Sequence, residues 1–143
     1  MSAVRAAVIP CAGRGERLLP LTLATPKELL PLGPYPALCA TLAEAAACLE
    51  EVVVVVSPDK PALARLLDPG SWPRGWPGAS SPLRSGDPNA APLQALRDLL
   101  ARLRVTLVEQ PAPLGALDAI ARGVARCGEP CAVLYPDLVR VAP

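Results

Sequence analysis

The chain has no histidine and no phenylalanine, and of its 14 basic residues only Lys27 and Lys60 are lysine. Without histidine there is no imidazole base, and the Cys127/Cys131 pair lacks the partners a zinc site needs. The five cysteines are odd in number and scattered, which excludes a closed disulfide framework; they are expected to be reduced and mostly buried, as small hydrophobes. The longest unbroken valine run, residues 52–56, is far too short to cross a bilayer, and the start MSAVRAAVIP has no secretory core. The net charge of +1 comes from interspersed acids and bases, so neither a nucleic-acid backbone nor a membrane surface is an expected partner, and a cytoplasmic location is expected.

What is present suits one domain: 143 residues, 52% of them hydrophobic, enough for a single core. Apolar, β-branched runs at Val4–Pro10 and Glu51–Ser57 predict strands buried on both faces of a parallel sheet, and Val105–Glu109 and Cys131–Tyr135 predict a third and a fourth strand. Helical spacing at Ala37–Glu50, Pro61–Leu67, Leu93–Leu103 and Leu114–Arg126 alternates with them. This rhythm predicts an α/β fold, a Rossmann-like three-layer sandwich on a mostly parallel sheet, with ligands beyond the carboxyl ends of the strands. Residues 68–92, DPGSWPRGWPGASSPLRSGDPNAAP, break the rhythm and predict a flexible loop, in which Trp72 and Trp76 either pack the loop down or mark a contact with a ligand or another subunit.

Directly after the first strand stands Cys11-Ala12-Gly13-Arg14-Gly15-Glu16-Arg17. Glycines there let backbone N–H groups close on phosphate oxygens, and arginine adds a charged bidentate contact, so a phosphorylated anion is the expected occupant. A dinucleotide fingerprint would want a third glycine at Leu18, and a P-loop would want Gly-Lys-Ser/Thr. Gly-x-Gly alone also fits a plain strand-to-helix turn. In a sequence so poor in lysine, Lys27 carries weight; Lys60, under the same bias, reads as a solvated turn.

The whole string IPCAGRGERLLPLTLATPKELLPL, with QPAPLGALDA at 110–119 and AVLYPDL at 132–138, resembles the sugar-1-phosphate nucleotidyltransferases, nearest to their bacterial UTP:glucose-1-phosphate uridylyltransferase branch. The resemblance implies that Ala12, Gly13 and Gly15 line the base and triphosphate, and that Arg17 neutralises the phosphates and the pyrophosphate leaving group. It further implies that Lys27 sits over the transferred phosphate, that Gln110 and Gly115 read a pyrimidine edge, and that Asp137 holds Mg²⁺. The implied substrates are a nucleoside triphosphate, UTP favoured, and a sugar 1-phosphate, glucose 1-phosphate favoured.

Each residue also has an ordinary alternative: surface charge for Arg17 and Lys27, a strand-end polar group for Gln110, a turn former for Asp137. Glu28 is left unassigned, with pairing to a neighbouring base as its ordinary reading. Ala116-Leu117-Asp118 departs from the family's usual Gly and polar or His residues, and Leu117 is expected to narrow the base pocket. Family members continue well beyond the Pro-Asp motif, so residues 1–143 are expected to be the nucleotide-binding part of such an enzyme, working as a homo-oligomer or with a complementing chain, or else a weak or inactive nucleotide-binding module.

Overall fold

The computed structural model describes residues 3–72 and 86–137. Its frame is a four-stranded parallel sheet of β1 (Ala6–Pro10), β4 (Glu51–Val56), β5 (Arg104–Glu109) and β6 (Cys131–Val133), in the order β5-β4-β1-β6. Register is set by Ala6 opposite both Glu51 and Cys131, and by Glu51 opposite Arg104. The chain starts in the middle, runs outward to one edge, then returns to the other side of β1. That reversal opens a crevice at the carboxyl ends of the strands, where ligands of such sheets bind.

The valines of β4 show why the sheet is buried on both sides. Val52, Val53, Val54 and Val55 are all fully buried. Val52 and Val54 pack with Leu38 and Leu42 of α1 (Leu38–Ala46), Leu63 of α2 (Pro61–Leu67) and Leu96 and Leu100 of α3 (Ala90–Arg102). Val53 and Val55 face the other way, onto Ala119 of α4 (Ala116–Cys127) together with Val8. Alternation along one strand thus feeds two separate cores, the three-layer arrangement expected. On the second face Gly123 allows α4 to lie close to β1: a Cβ there would collide with both Cγ atoms of Val8.

Element bounds differ from expectation where hydrogen bonds end them. The first strand begins at Ala6, because Arg5 turns its carbonyl to the N–H groups of Glu50 and Glu51. The first helix stops at Ala46, not Glu50, as the N–H groups of Cys48 and Leu49 close back on the carbonyl of Ala45. The last strand is three residues long; the N–H of Leu134 still donates to the Val8 carbonyl at 2.9 Å, and Tyr135–Asp137 leave the sheet.

Between β1 and α1 lie elements the periodicity did not predict: 3₁₀ turns at Glu16–Leu18, Leu21–Leu23 and Lys27–Leu29, then a small antiparallel ribbon of β2 (Pro31–Leu32) and β3 (Tyr35–Pro36) turned by Gly33.

The expected loop 68–92 is structured at its two ends. Pro69–Ser71 form a 3₁₀ turn, and α3 takes up Ala90–Pro92 behind an Asp87 side chain that accepts from the N–H of Asn89 at 2.8 Å. Trp72 packs down onto the main core, donates Nε1–H to the carbonyl of Arg65 at 2.9 Å and lies 5.6 Å from the Arg97 guanidinium. Trp76 and the rest of 73–85 lie outside the described residues. All five cysteines are free as expected, but only Cys11 and Cys39 are buried, and Cys48 is exposed. Among the described residues no helix is long and apolar enough to cross a membrane.

Candidate functional site

A cleft of about 1030 Å³ opens at the carboxyl ends of β1, β5 and β6. Ala12, Gly13, Gly15, Arg17, Lys27, Gln110, Gly115 and Asp137 all line it, so residues from three separate stretches of sequence converge on one space.

The loop after β1 leaves the sheet gradually. The N–H of Cys11 still donates to the carbonyl of Val55 at 2.8 Å, and Cys11 and Ala12 are buried. The chain is then gripped by Lys60, the residue preceding α2, whose Nζ donates to the carbonyl of Cys11 at 2.7 Å and to that of Gly13, and pairs with both carboxylate oxygens of Glu28 at 2.9 and 3.0 Å. Lys60 is 7% exposed and Glu28 1%, so the reading of Lys60 as a solvated turn is corrected. The ammonium ties up two loop carbonyl oxygens that would repel an anion. Glu28 does pair with a base, though one 32 positions away. Burial, reinforced by the Glu28 charge, pushes the Cys11 thiol far above its usual range, which makes it a packing group and not a nucleophile.

Gly15 adopts the left-handed region at φ 70°, and a Cβ there would meet Thr22 Cγ2 at 3.0 Å. Thr22 Oγ1 in turn donates to the Gly15 carbonyl at 2.9 Å. Only glycine meets both demands. Gly13 is different: a Cβ there would touch nothing within 4 Å, so no protein neighbour demands glycine. Arg14 and Arg17 are exposed on the cleft and make no hydrogen bond or ion pair among the described residues, which leaves two guanidinium forks for an anion.

Lys27 opens its 3₁₀ turn behind Pro26 and places Nζ 3.2 Å from Asp137 Oδ2. The aspartate side chain is 59% exposed, so the pair is weak and either partner can turn to a ligand. Among the described residues no group of three or more His, Cys, Asp or Glu side chains could hold a metal ion. Mg²⁺, however, commonly takes one or two carboxylates and completes its shell with water and substrate phosphates. Asp137 therefore fits an ion carried in with a triphosphate, whereas the Glu28 carboxylate is already committed to Lys60.

At the other wall Gln110 follows β5, its N–H donating to the carbonyl of Val56 at 2.8 Å. Its side-chain Nε2 donates to the Gly115 carbonyl at 3.0 Å and to Asp118 Oδ2 at 2.8 Å, and Arg122 Nε donates to the same oxygen at 2.7 Å. The Arg122 bond first, then the Gln110 bond, hold the Asp118 carboxyl below its ordinary pKa. Gly115, at φ 89° and ψ 178°, directly precedes α4 in a conformation all but reserved for glycine. Leu117 is 84% exposed and does not line the cleft; Ala116 does. The expected narrowing by Leu117 is thus corrected, because the first turn of α4 carries that side chain outward.

Sequence reading missed Lys60, Asp118 and Arg122. The last two are an i,i+4 pair on α4 and could have been found from helical spacing. For Lys60 the signal was its rarity.

Residues 7–143 match the MobA-like NTP transferase domain. A UTP–glucose-1-phosphate uridylyltransferase of Mycoplasma pneumoniae is 48% identical over 64 residues, 44% of this chain and 22% of that protein. The crystal structure of a UDP-glucose pyrophosphorylase complexed with UDP-glucose superposes with a TM-score of 0.77 at 27% identity, covering 99% of this chain and 48% of that one. A UTP-bound UGPase from Acinetobacter baumannii gives 0.70 at 27% identity, covering 99% and 48%. The chain spans about half the length of these solved structures. With its parallel sheet, its glycine loop and a match running over almost its whole length, the chain belongs to the MobA-like NTP transferase family.

Proposed function

We propose that the cleft binds a pyrimidine nucleoside triphosphate, UTP before others, with Mg²⁺, and that the protein serves transfer of the nucleotidyl group to a sugar 1-phosphate, glucose 1-phosphate favoured, with release of pyrophosphate. The observation that carries this is the convergence of Gly13, Gly15, Arg17 and Lys27 with Gln110 and Asp137 on one cleft. The names of the relatives support the same substrates.

The chemistry asks for no nucleophile or histidine from the protein. An oxygen of the sugar phosphate is already anionic; it attacks the α-phosphorus, and the bond to the bridging oxygen of pyrophosphate breaks. What remains is alignment and charge stabilisation. The loop N–H groups and Arg17 hold the phosphates, and Lys27 covers the one that is transferred. Gln110 and Gly115 hold the base. Mg²⁺ bound to the phosphates and Asp137 would offset charge that builds on the phosphate oxygens. A homo-oligomer or a complementing chain is proposed to supply the rest of the acceptor's wall. The free thiols favour the reducing environment of a cytoplasm.

Calorimetric titration tests the reading. UTP with Mg²⁺ is expected to bind more tightly than ATP or GTP, and Arg17→Ala to weaken it more than Arg14→Ala. Equal losses in the two variants would remove the phosphate role from Arg17, and a purine nucleotide binding tightest would overturn the base assignment.

A further inference from the structure

We infer that Asp118, backed by Arg122, fixes the amide of Gln110 so that only its oxygen faces the ligand, making Asp118 the residue that sets uracil against cytosine. This rests on the nucleotide site proposed above. An amide can turn over, and its oxygen and nitrogen exchange places at little cost unless neighbours choose between them. Here both neighbours are acceptors: the Gly115 carbonyl at 3.0 Å and Asp118 Oδ2 at 2.8 Å. Neither could face Oε1 without repulsion, so the nitrogen must point toward them. Both Nε2 hydrogens are then spent within the protein.

Oε1 has no protein partner among the described residues, and Gln110, 4% exposed, borders the cleft. The site therefore offers the base a hydrogen-bond acceptor. Uracil and thymine present N3–H, a donor. Cytosine presents a bare N3, an acceptor, and would leave two lone pairs opposed. Arg122 completes the device: donating to Oδ2 at 2.7 Å, it keeps Asp118 ionised and so unable to donate. The Asp118 side chain does not line the cleft, so it acts through Gln110 as a positioning residue.

Competition titrations on the 143-residue chain read this out with UTP, CTP and 3-methyluridine triphosphate. UTP is expected to bind at least about tenfold more tightly than either of the others, the size of one buried hydrogen bond. Asp118→Leu, which removes the acceptor, should bring the UTP/CTP ratio down by about tenfold, while Asp118→Asn, whose Oδ1 can still accept from Gln110 and Arg122, should keep most of it. A ratio unchanged in a folded Asp118→Leu protein overturns the inference. So does a wild-type protein that binds 3-methyluridine triphosphate and CTP as well as UTP, a comparison that needs no variant. Failure of every nucleoside triphosphate to bind would instead sink the nucleotide site itself, and this inference with it.

Discussion

Lys60 and Glu28 form a buried ion pair, Nζ lying 2.9 Å from one carboxylate oxygen and 3.0 Å from the other, directly beneath the glycine loop. Their charges satisfy one another, and the hydrogen bonds from Lys60 to the Cys11 and Gly13 carbonyls join the loop after β1 to the segment that carries Lys27. A buried pair of this kind adds little net stability over an apolar pair of like volume, so its value is positional.

Removing one partner should therefore be costly and removing both should not. Lys60→Met is expected to lower stability by about 3–5 kcal/mol, since it strands a buried carboxylate. The double variant Lys60→Met, Glu28→Leu should recover most of that loss in chemical denaturation yet still bind UTP weakly, because the loop carbonyls have lost their donor. A double variant that regains full UTP affinity would show that the pair does not position the loop.

The two loop glycines should separate stability from binding. Gly15→Ala forces a side chain into the left-handed region against Thr22, a cost of about 1–3 kcal/mol, and should lower the melting temperature. Gly13→Ala meets no protein atom and should melt like the wild type while UTP affinity falls at least about tenfold. Gly13→Ala with undiminished affinity would mean that no ligand approaches the backbone there.

How much of this was legible in the sequence depends on range. The valines of β4 announce a strand buried on both faces because an unbroken apolar run is a local property, and the Cys11–Arg17 string raises the expectation of an anion site because its residues are adjacent. Lys60 could not be placed that way: its partners lie 32, 47 and 49 positions away, and only the crossover from β1 to β4 brings them together. Lys27 and Asp137 are 110 positions apart and meet only because β6 returns to the side of β1. The exposure of Leu117 follows from the rotational phase of α4, set by Gly115, which the sequence pattern left open. The 3₁₀ turns escaped because three-residue elements carry no periodicity.

Turnover is a separate question from binding. On the reading proposed above, in which Asp137 holds Mg²⁺ and a further copy or chain completes the acceptor's wall, one chain alone aligns the sugar phosphate incompletely, and positioning of this sort is worth roughly 7–11 kcal/mol of a barrier. The 143-residue polypeptide is thus predicted to bind UTP but to release no measurable pyrophosphate from UTP and glucose 1-phosphate. Sustained release in a coupled assay, dependent on the sugar phosphate and abolished in Asp137→Ala, would show that these residues suffice.

Thiol labelling checks the core. Burial pushes the Cys39 thiol up to about 11 and that of Cys11 higher still, so both stay protonated near pH 8 and inert to iodoacetamide, while exposed Cys48 reacts. Mass-mapped adducts on Cys11 at the rate of Cys48 would contradict the packing of the loop.

The central claim, that the cleft at the strand ends is the nucleotide site, is tested most directly by following backbone and side-chain amide resonances while UTP and Mg²⁺ are added. The account predicts shifts concentrated on Gly13, Gly15, Lys27, Gly115 and the Gln110 side chain. Shifts gathered instead on Cys39, Ala43, Leu96 and Leu99, which line a second, apolar groove between α1 and α3, would contradict it.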